Sequence, residues 1–85
     1  MAEYKRYSQV IGAAVWAEAK AQKLTQREVG ETLGLSAMSV GQRYRGEVQF
    51  RPDELAAVAK LMNVEVEHFT IRPENQHRYA RKVES

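Results

Sequence analysis

The 85-residue sequence contains no cysteine, which excludes a disulfide framework and a thiolate metal site as sources of stability. It also lacks a long apolar run. The longest one, Val10 to Ala17, contains Gly12 and is far shorter than the roughly 20 residues that span a bilayer. No cleavable export signal is recognisable at the N-terminus. These absences predict a cytoplasmic protein, unattached to membranes, whose fold depends on hydrophobic packing alone.

A strong excess of one charge is missing as well. Thirteen basic and eleven acidic residues leave a net charge of +2, which is weak support for a polyanionic partner. The basic residues are nevertheless clustered, with Arg43, Arg45 and Arg51 opposed only by Glu47. A second basic cluster, in the tail, consists of Arg72, Arg78, Arg81 and Lys82. An apolar content of 44% and a charged content of 28% indicate a single soluble domain with a thin core.

Helical periodicity dominates the sequence, and no alternation is long enough to build a β-sheet. The first helix is predicted from about Ser8, acting as its cap, to Ala21. Its apolar stripe consists of Ile11, Val15 and Ala19, spaced by four residues. Trp16 lies on the flank of this stripe, where partial burial against a neighbouring helix is favoured over a binding role.

The second helix has strong start and stop signals. Thr25 and Glu28 have the spacing of a capping box, and Gly34 can adopt the left-handed backbone that ends a helix. Ser36 then caps a third helix after only two residues, which predicts a tight turn between two steeply crossed helices. Gly30 lies on the inner face of the second helix, where the third approaches closely. The apolar residues predicted to pack between these two helices are Leu33, Leu35 and Val40.

Two further helices follow. The fourth is predicted to start near Pro52, which suits a first helical turn, with Phe50 packed onto Leu55. Asn63 is predicted to end it in a left-handed conformation. A short fifth helix, about Val66 to Thr70, adds Val66 and Phe69 to the core. The apolar stripe of the fourth helix consists of Leu55, Val58, Ala59 and Met62.

Residues 11–69 resemble the lambda-repressor-like, or Cro/XRE, helix-turn-helix family. The resemblance lies in a spaced series of short motifs: Leu24-Thr25-Gln26, Val29-Gly30, Leu33-Gly34-Leu35, Val40-Gly41, Tyr44, Gly46 and the segment from Met62 to Phe69. It implies an all-α domain of five helices, with the helix-turn-helix unit at helices 2 and 3. It also implies double-stranded DNA as the partner, and a homodimer, at least on DNA, that binds a pseudo-palindrome.

The resemblance places the third helix, about Ala37 to Tyr44, in the major groove and makes Ala37, Met38 and Gln42 the base-reading positions. The Gln42 amide can bond an adenine edge twice, whereas Ala37 and Met38 can offer only apolar contact. The sequence leaves open whether Met38 contacts a base or is partly buried filler. The predicted DNA-backbone contacts are Gln26, Ser36, Ser39, Arg43, Arg45 and Arg51. Arg43 departs from the family pattern, which usually has an apolar residue there.

Three segments are expected: an N-terminal arm (1–9), the DNA-binding domain (10–71) and a basic polar tail (72–85). The arm either reaches around the duplex or frays. The tail is either disordered, a second DNA arm or a dimer-forming segment.

We expect a transcriptional repressor of the Cro kind, from a phage or mobile element. An antitoxin that regulates its own operon, or a protein-interaction adaptor on the same fold, are the alternatives. We expect no enzymatic activity, cofactor, metal or small-molecule ligand, since His68 and His77 lack acidic or cysteine partners at ligand spacing.

Overall fold

The computed structural model of the chain describes residues 2–70, with side chains described from Arg6 onward. Helices joined by turns and short loops make up this part of the chain, which contains no strand. Its helices are α1 (Ala2–Ala21), α2 (Gln26–Leu33), α3 (Ala37–Tyr44), α4 (Pro52–Met62) and α5 (Glu67–Thr70). The predicted all-α, five-helix architecture is therefore confirmed.

The start of α1 differs from the prediction. The helix begins at Ala2, six residues before Ser8, so residues 2–9, the predicted arm, are helical. Ser8 is not a cap: it is only 4% exposed, inside the helix. Contacts distant in sequence support this first part of α1, because the Tyr7 hydroxyl donates to the Thr70 carbonyl at 3.1 Å. The predicted tail, residues 72–85, lies outside the described residues.

The predicted start of α2 and the predicted ends of α2 and α4 are confirmed. The Thr25 hydroxyl accepts from the Glu28 amide at 3.1 Å, and the Glu28 carboxylate accepts from the Thr25 amide at 2.8 Å. The hydrogen bond from the Thr25 amide, helped by the Thr25 side chain, favours the charged carboxylate and lowers the pKa of Glu28. Gly34, with φ of 71°, ends α2, and Asn63, with φ of 58°, ends α4, both in the left-handed region.

All five helices contribute side chains to one core. α1 contacts α3, α4 and α5, whereas α2 contacts α3 and α4. Every apolar stripe predicted from the sequence contributes to the core. Its most deeply buried side chains are Val15, Val29, Val40, Val58, Met62 and Phe69. Leu33, Leu35 and Val66 are only partly buried against this core.

Gly12 and Gly30 each allow a close approach of backbone to backbone. A Cβ atom on Gly30 would clash with the Leu35 carbonyl oxygen, in the turn that leads from α2 into α3, as predicted. A Cβ atom on Gly12 would clash with the carbonyl oxygen of Arg43, a contact between α1 and α3 that the sequence did not indicate. The two glycines let α3 lie against both α1 and the α2–α3 turn, which fixes the orientation of α3.

Candidate nucleic-acid interface

One face of α3 is open to solvent. Val40 and Tyr44 point into the core, whereas Ala37 and Met38 are exposed and Gln42 is partly exposed. Met38 is 73% exposed, so the alternative of a partly buried filler is excluded. The predicted base-reading positions therefore occur together on an accessible surface of a well-supported helix.

Hydrogen bonds fix the N-terminus of α3. The Ser36 hydroxyl accepts from the Ser39 amide at 3.1 Å, and the two serine hydroxyls lie 3.1 Å apart. From α2, the Gln26 amide nitrogen donates to the Ala37 carbonyl at 2.8 Å. Gln26 lies in the first turn of α2, where unpaired backbone amides and the helix dipole attract anions. It thus orients α3 and stands beside a potential phosphate site.

Arg43 has a different environment from the one predicted. Its Nε donates to Glu54 Oε1 at 3.0 Å, and its Nη2 lies 3.4 Å from Glu54 Oε2. The two side chains are only 12% and 10% exposed, and Nη1 donates to the Ser39 carbonyl at 3.1 Å. Because a carboxylate of α4 already pairs with this guanidinium, Arg43 is less available to a phosphate than the exposed arginines, and its phosphate contact stays a prediction. An ion pair replaces the apolar contact that the resemblance implies at this position.

The two other predicted arginines are accessible. Arg45, directly after α3, donates from Nε to Glu47 Oε2 at 2.7 Å, but both side chains are more than half exposed. This hydrogen bond raises the pKa of Arg45 and lowers the pKa of Glu47. The Arg51 Nε lies 3.7 Å from Asp53 Oδ1, and both side chains are about three-quarters exposed. Such exposed pairs are weak, so either arginine can turn to a phosphate at little cost.

Sequence reasoning missed a cleft beside this surface. The cleft has a volume of about 560 Å³ and is lined by α1 residues, including Gln9 and Trp16, together with Gln26, Gly41 and Arg45. Trp16 is 47% exposed, and the Lys20 ammonium lies 4.5 Å from the centre of its ring. Spacing along α1 places both side chains on one face, but only the fold shows that this face borders α3.

Other kinds of site find no support in residues 6–70. The side chains described there form no group of three or more potential metal ligands. His68, on α5, lies 2.9 Å from Glu18 on α1, so it links two helices at the surface. Among the described residues, no helix is long and apolar enough to cross a membrane.

Comparisons with known proteins agree with this geometry. A family model described as helix-turn-helix matches residues 17–69. The chain is also similar to the crystal structure of the DNA-binding domain of BldD, with 26% sequence identity and a TM-score of 0.68. That alignment covers 78% of this chain and 96% of the other. A search of curated proteins found no significant match. Because the family model spans more than half of the sequence, the chain belongs to the Cro/C1-type helix-turn-helix family.

Proposed function

We propose that the protein is a sequence-specific DNA-binding transcriptional regulator that inserts α3 into the major groove. The observation that carries the proposal is the exposed face of α3, with Ala37, Met38 and Gln42 directed away from the core. Ser36, Ala37 and Ser39 at the N-terminus of this helix have short side chains, so its backbone can approach base edges closely. A major groove is wide enough to admit one helix. The described similarity to the DNA-binding domain of BldD supports the same conclusion.

Within this interface, Gln42 provides the main polar readout. Its amide can donate to and accept from one adenine edge, and such a bidentate pair discriminates against other bases by about 1 to 3 kcal/mol. Ala37 and the exposed Met38 offer apolar contacts that suit a thymine methyl group. Ser36 and Ser39 lie at the start of α3, where hydroxyl groups can reach the sugar-phosphate backbone.

Phosphate contacts flank α3. Gln26 approaches from the N-terminus of α2, while Arg45 and Arg51 extend from the segment that follows α3. We leave Arg43 out of this set because its guanidinium pairs with Glu54. The flanking contacts set the register of the domain on the duplex and supply the salt-dependent part of its affinity.

We further propose that two copies act together as a Cro-like repressor of a phage or mobile element. A helix of eight residues is about 12 Å long and therefore covers only a few base pairs. Two such helices, about 34 Å apart, would read a pseudo-palindrome on one side of the duplex. A dimer bound at a promoter would repress by blocking access to it.

Selection of bound sites from random double-stranded DNA tests the proposal. Two variants then separate the assigned roles on the selected site. Gln42→Ala should lose about 1 to 3 kcal/mol of binding and relax the preference at one base position. Arg45→Ala should weaken binding to every sequence and lower the salt slope by about one. Failure to enrich any sequence would contradict the proposal and favour an adaptor that binds protein.

A further inference from the structure

The cleft between α1 and the helix-turn-helix unit adjoins the proposed DNA interface. Two of its lining residues, Gln26 and Arg45, are also proposed phosphate contacts, so the two surfaces are continuous. Its opposite wall is α1, which presents Trp16 and Gln9 to the same space. A DNA strand held by Gln26 and Arg45 would therefore also contact α1.

Gly41 brings two hydrogen-bond donors together at this place. A Cβ atom on Gly41 would lie 3.0 Å from the Gln26 amide nitrogen and 3.3 Å from Nη1 of Arg45. Both side chains thus occupy the space that a larger residue would fill. Since a neutral amide and a guanidinium both donate to phosphate oxygens, the pair forms the floor of a site suited to one backbone phosphate.

The α1 wall has chemistry of the same kind. Trp16 keeps 47% of its surface exposed, although a tryptophan ring is a large apolar group. Its indole N–H can donate to a phosphate, and its ring can cover a deoxyribose. Lys20, 4.5 Å from the centre of the ring, adds a positive charge on the same face. An apolar protein partner would find cations at both edges of this cleft, whereas the DNA backbone is complementary to them.

We propose that the α1 side of this cleft is a second wall of the DNA-backbone site. In this site Trp16 contacts the DNA strand that Gln26 and Arg45 hold, and Lys20 neutralises an adjacent phosphate. The inference rests on the proposed DNA-binding function and adds α1 to the surface that carries it. It assigns the exposed tryptophan a positioning role, in which the domain is held on the duplex without reading a base.

The chain has only one tryptophan, so its fluorescence reports on this cleft alone. A duplex selected for tight binding should change the Trp16 emission and protect it from acrylamide quenching. Trp16→Ala should weaken binding by roughly tenfold, as the loss of one hydrogen bond to a charged group does. Trp16→Phe, which keeps a ring but lacks the N–H, should fall between this variant and the wild type. Circular dichroism melting of both variants checks that each remains folded.

Lysine substitutions provide an independent measurement. Lys20→Gln should reduce the slope of log K against log salt by about 0.9, the value for one lost phosphate contact. Lys60→Gln is the matched control, because Lys60 is an exposed lysine on α4, outside the cleft. It should leave the slope unchanged.

The outcomes distinguish this inference from the proposed function. If the wild-type protein binds no DNA, the proposed function fails first and the inference fails with it. If the wild type binds DNA but Trp16 stays fully open to acrylamide, the α1 wall is wrong while the proposed function stands. The α1 wall is equally wrong if the Trp16 and Lys20 variants bind as the wild type does. The inference would also be overturned if a co-purified protein, and not the duplex, shielded Trp16 from acrylamide.

Discussion

The Arg43–Glu54 pair offers a direct test of how α3 is held in place. Both side chains are about one-tenth exposed, and the guanidinium makes contacts to both carboxylate oxygens. Removing one member of a buried pair leaves an unpaired charge and costs about 3 to 5 kcal/mol. We expect Arg43→Met to lower the free energy of unfolding by about 3 kcal/mol, near the lower end of this range. The carboxylate that remains still accepts the Arg51 amide at 2.9 Å.

A double-mutant cycle isolates the interaction. Glu54→Gln keeps one acceptor oxygen for the Arg51 amide but removes the charge and the second acceptor of the Arg43 guanidinium, so we expect a loss of about 2 kcal/mol. In the double variant neither charge remains, and its loss should be smaller than the sum of the two single losses by about 1 to 2 kcal/mol. Urea unfolding, followed by circular dichroism, measures all four free energies of unfolding.

The exposed pair Arg45–Glu47 supplies the control. Arg45→Met and Glu47→Gln, made singly and together, should show no measurable coupling because water screens this pair. Coupling for Arg43 and Glu54 within about 0.5 kcal/mol of zero would refute the structural role assigned to them. A second readout separates structure from DNA binding. Arg43→Met should leave the salt slope of DNA binding unchanged wherever the variant is folded.

Three further predictions concern stability. The contribution of the Glu28 cap is present above its ordinary pKa of 4.5 and is lost as pH falls through the lower folded pKa. Melting temperature should therefore fall less steeply with acid in Glu28→Gln, and identical profiles would contradict the cap. Burial raises the pKa of Tyr44, and its hydroxyl has no hydrogen-bond partner among the described residues. Tyr44→Phe should therefore raise the free energy of unfolding in urea by up to about 1 kcal/mol. A lower free energy of unfolding would reveal a hydrogen bond to this hydroxyl. Gly12→Ala should cost at least about 2 kcal/mol because α1 and α3 must separate, whereas wild-type stability would exclude their close approach.

Local signals made most of the fold predictable. The capping box at Thr25, the left-handed ends at Gly34 and Asn63, and the cap at Ser36 each depend on residues close together in sequence. Such signals act through a few backbone hydrogen bonds, so their geometry hardly depends on the rest of the molecule. The motif spacing that accompanies them identified the family.

Contacts between distant segments could not be predicted in the same way. The extension of α1 to Ala2 accompanies a hydrogen bond from Tyr7 to the far end of the described chain, and no local pattern announces it. Arg43 looks like any other basic residue until α4 brings Glu54 beside it. Glu54 follows Arg51 by three residues at the start of α4. This spacing indicates the hydrogen bond from the Arg51 amide to the Glu54 carboxylate, but it does not indicate the ion pair with Arg43.

The candidate site was predictable only in part. Family spacing located α3, and the fold showed that Met38 is open to solvent and that Gln26 supports the start of α3. The contribution of α1 depends on how two helices pack, which explains why the sequence favours partial burial of Trp16 over a binding role. The assignment of individual residues to bases and phosphates stays a prediction.

Titration of the isotope-labelled protein with a selected duplex, followed by amide NMR, tests the central claim most directly. We expect the largest shifts at residues 36–45 and at the N-terminus of α2. Amides at the C-terminal end of α4 and in α5 should change little. Strong shifts confined to α4 and α5, with residues 36–45 unperturbed by bound DNA, would contradict the claim that α3 is the element that enters the groove.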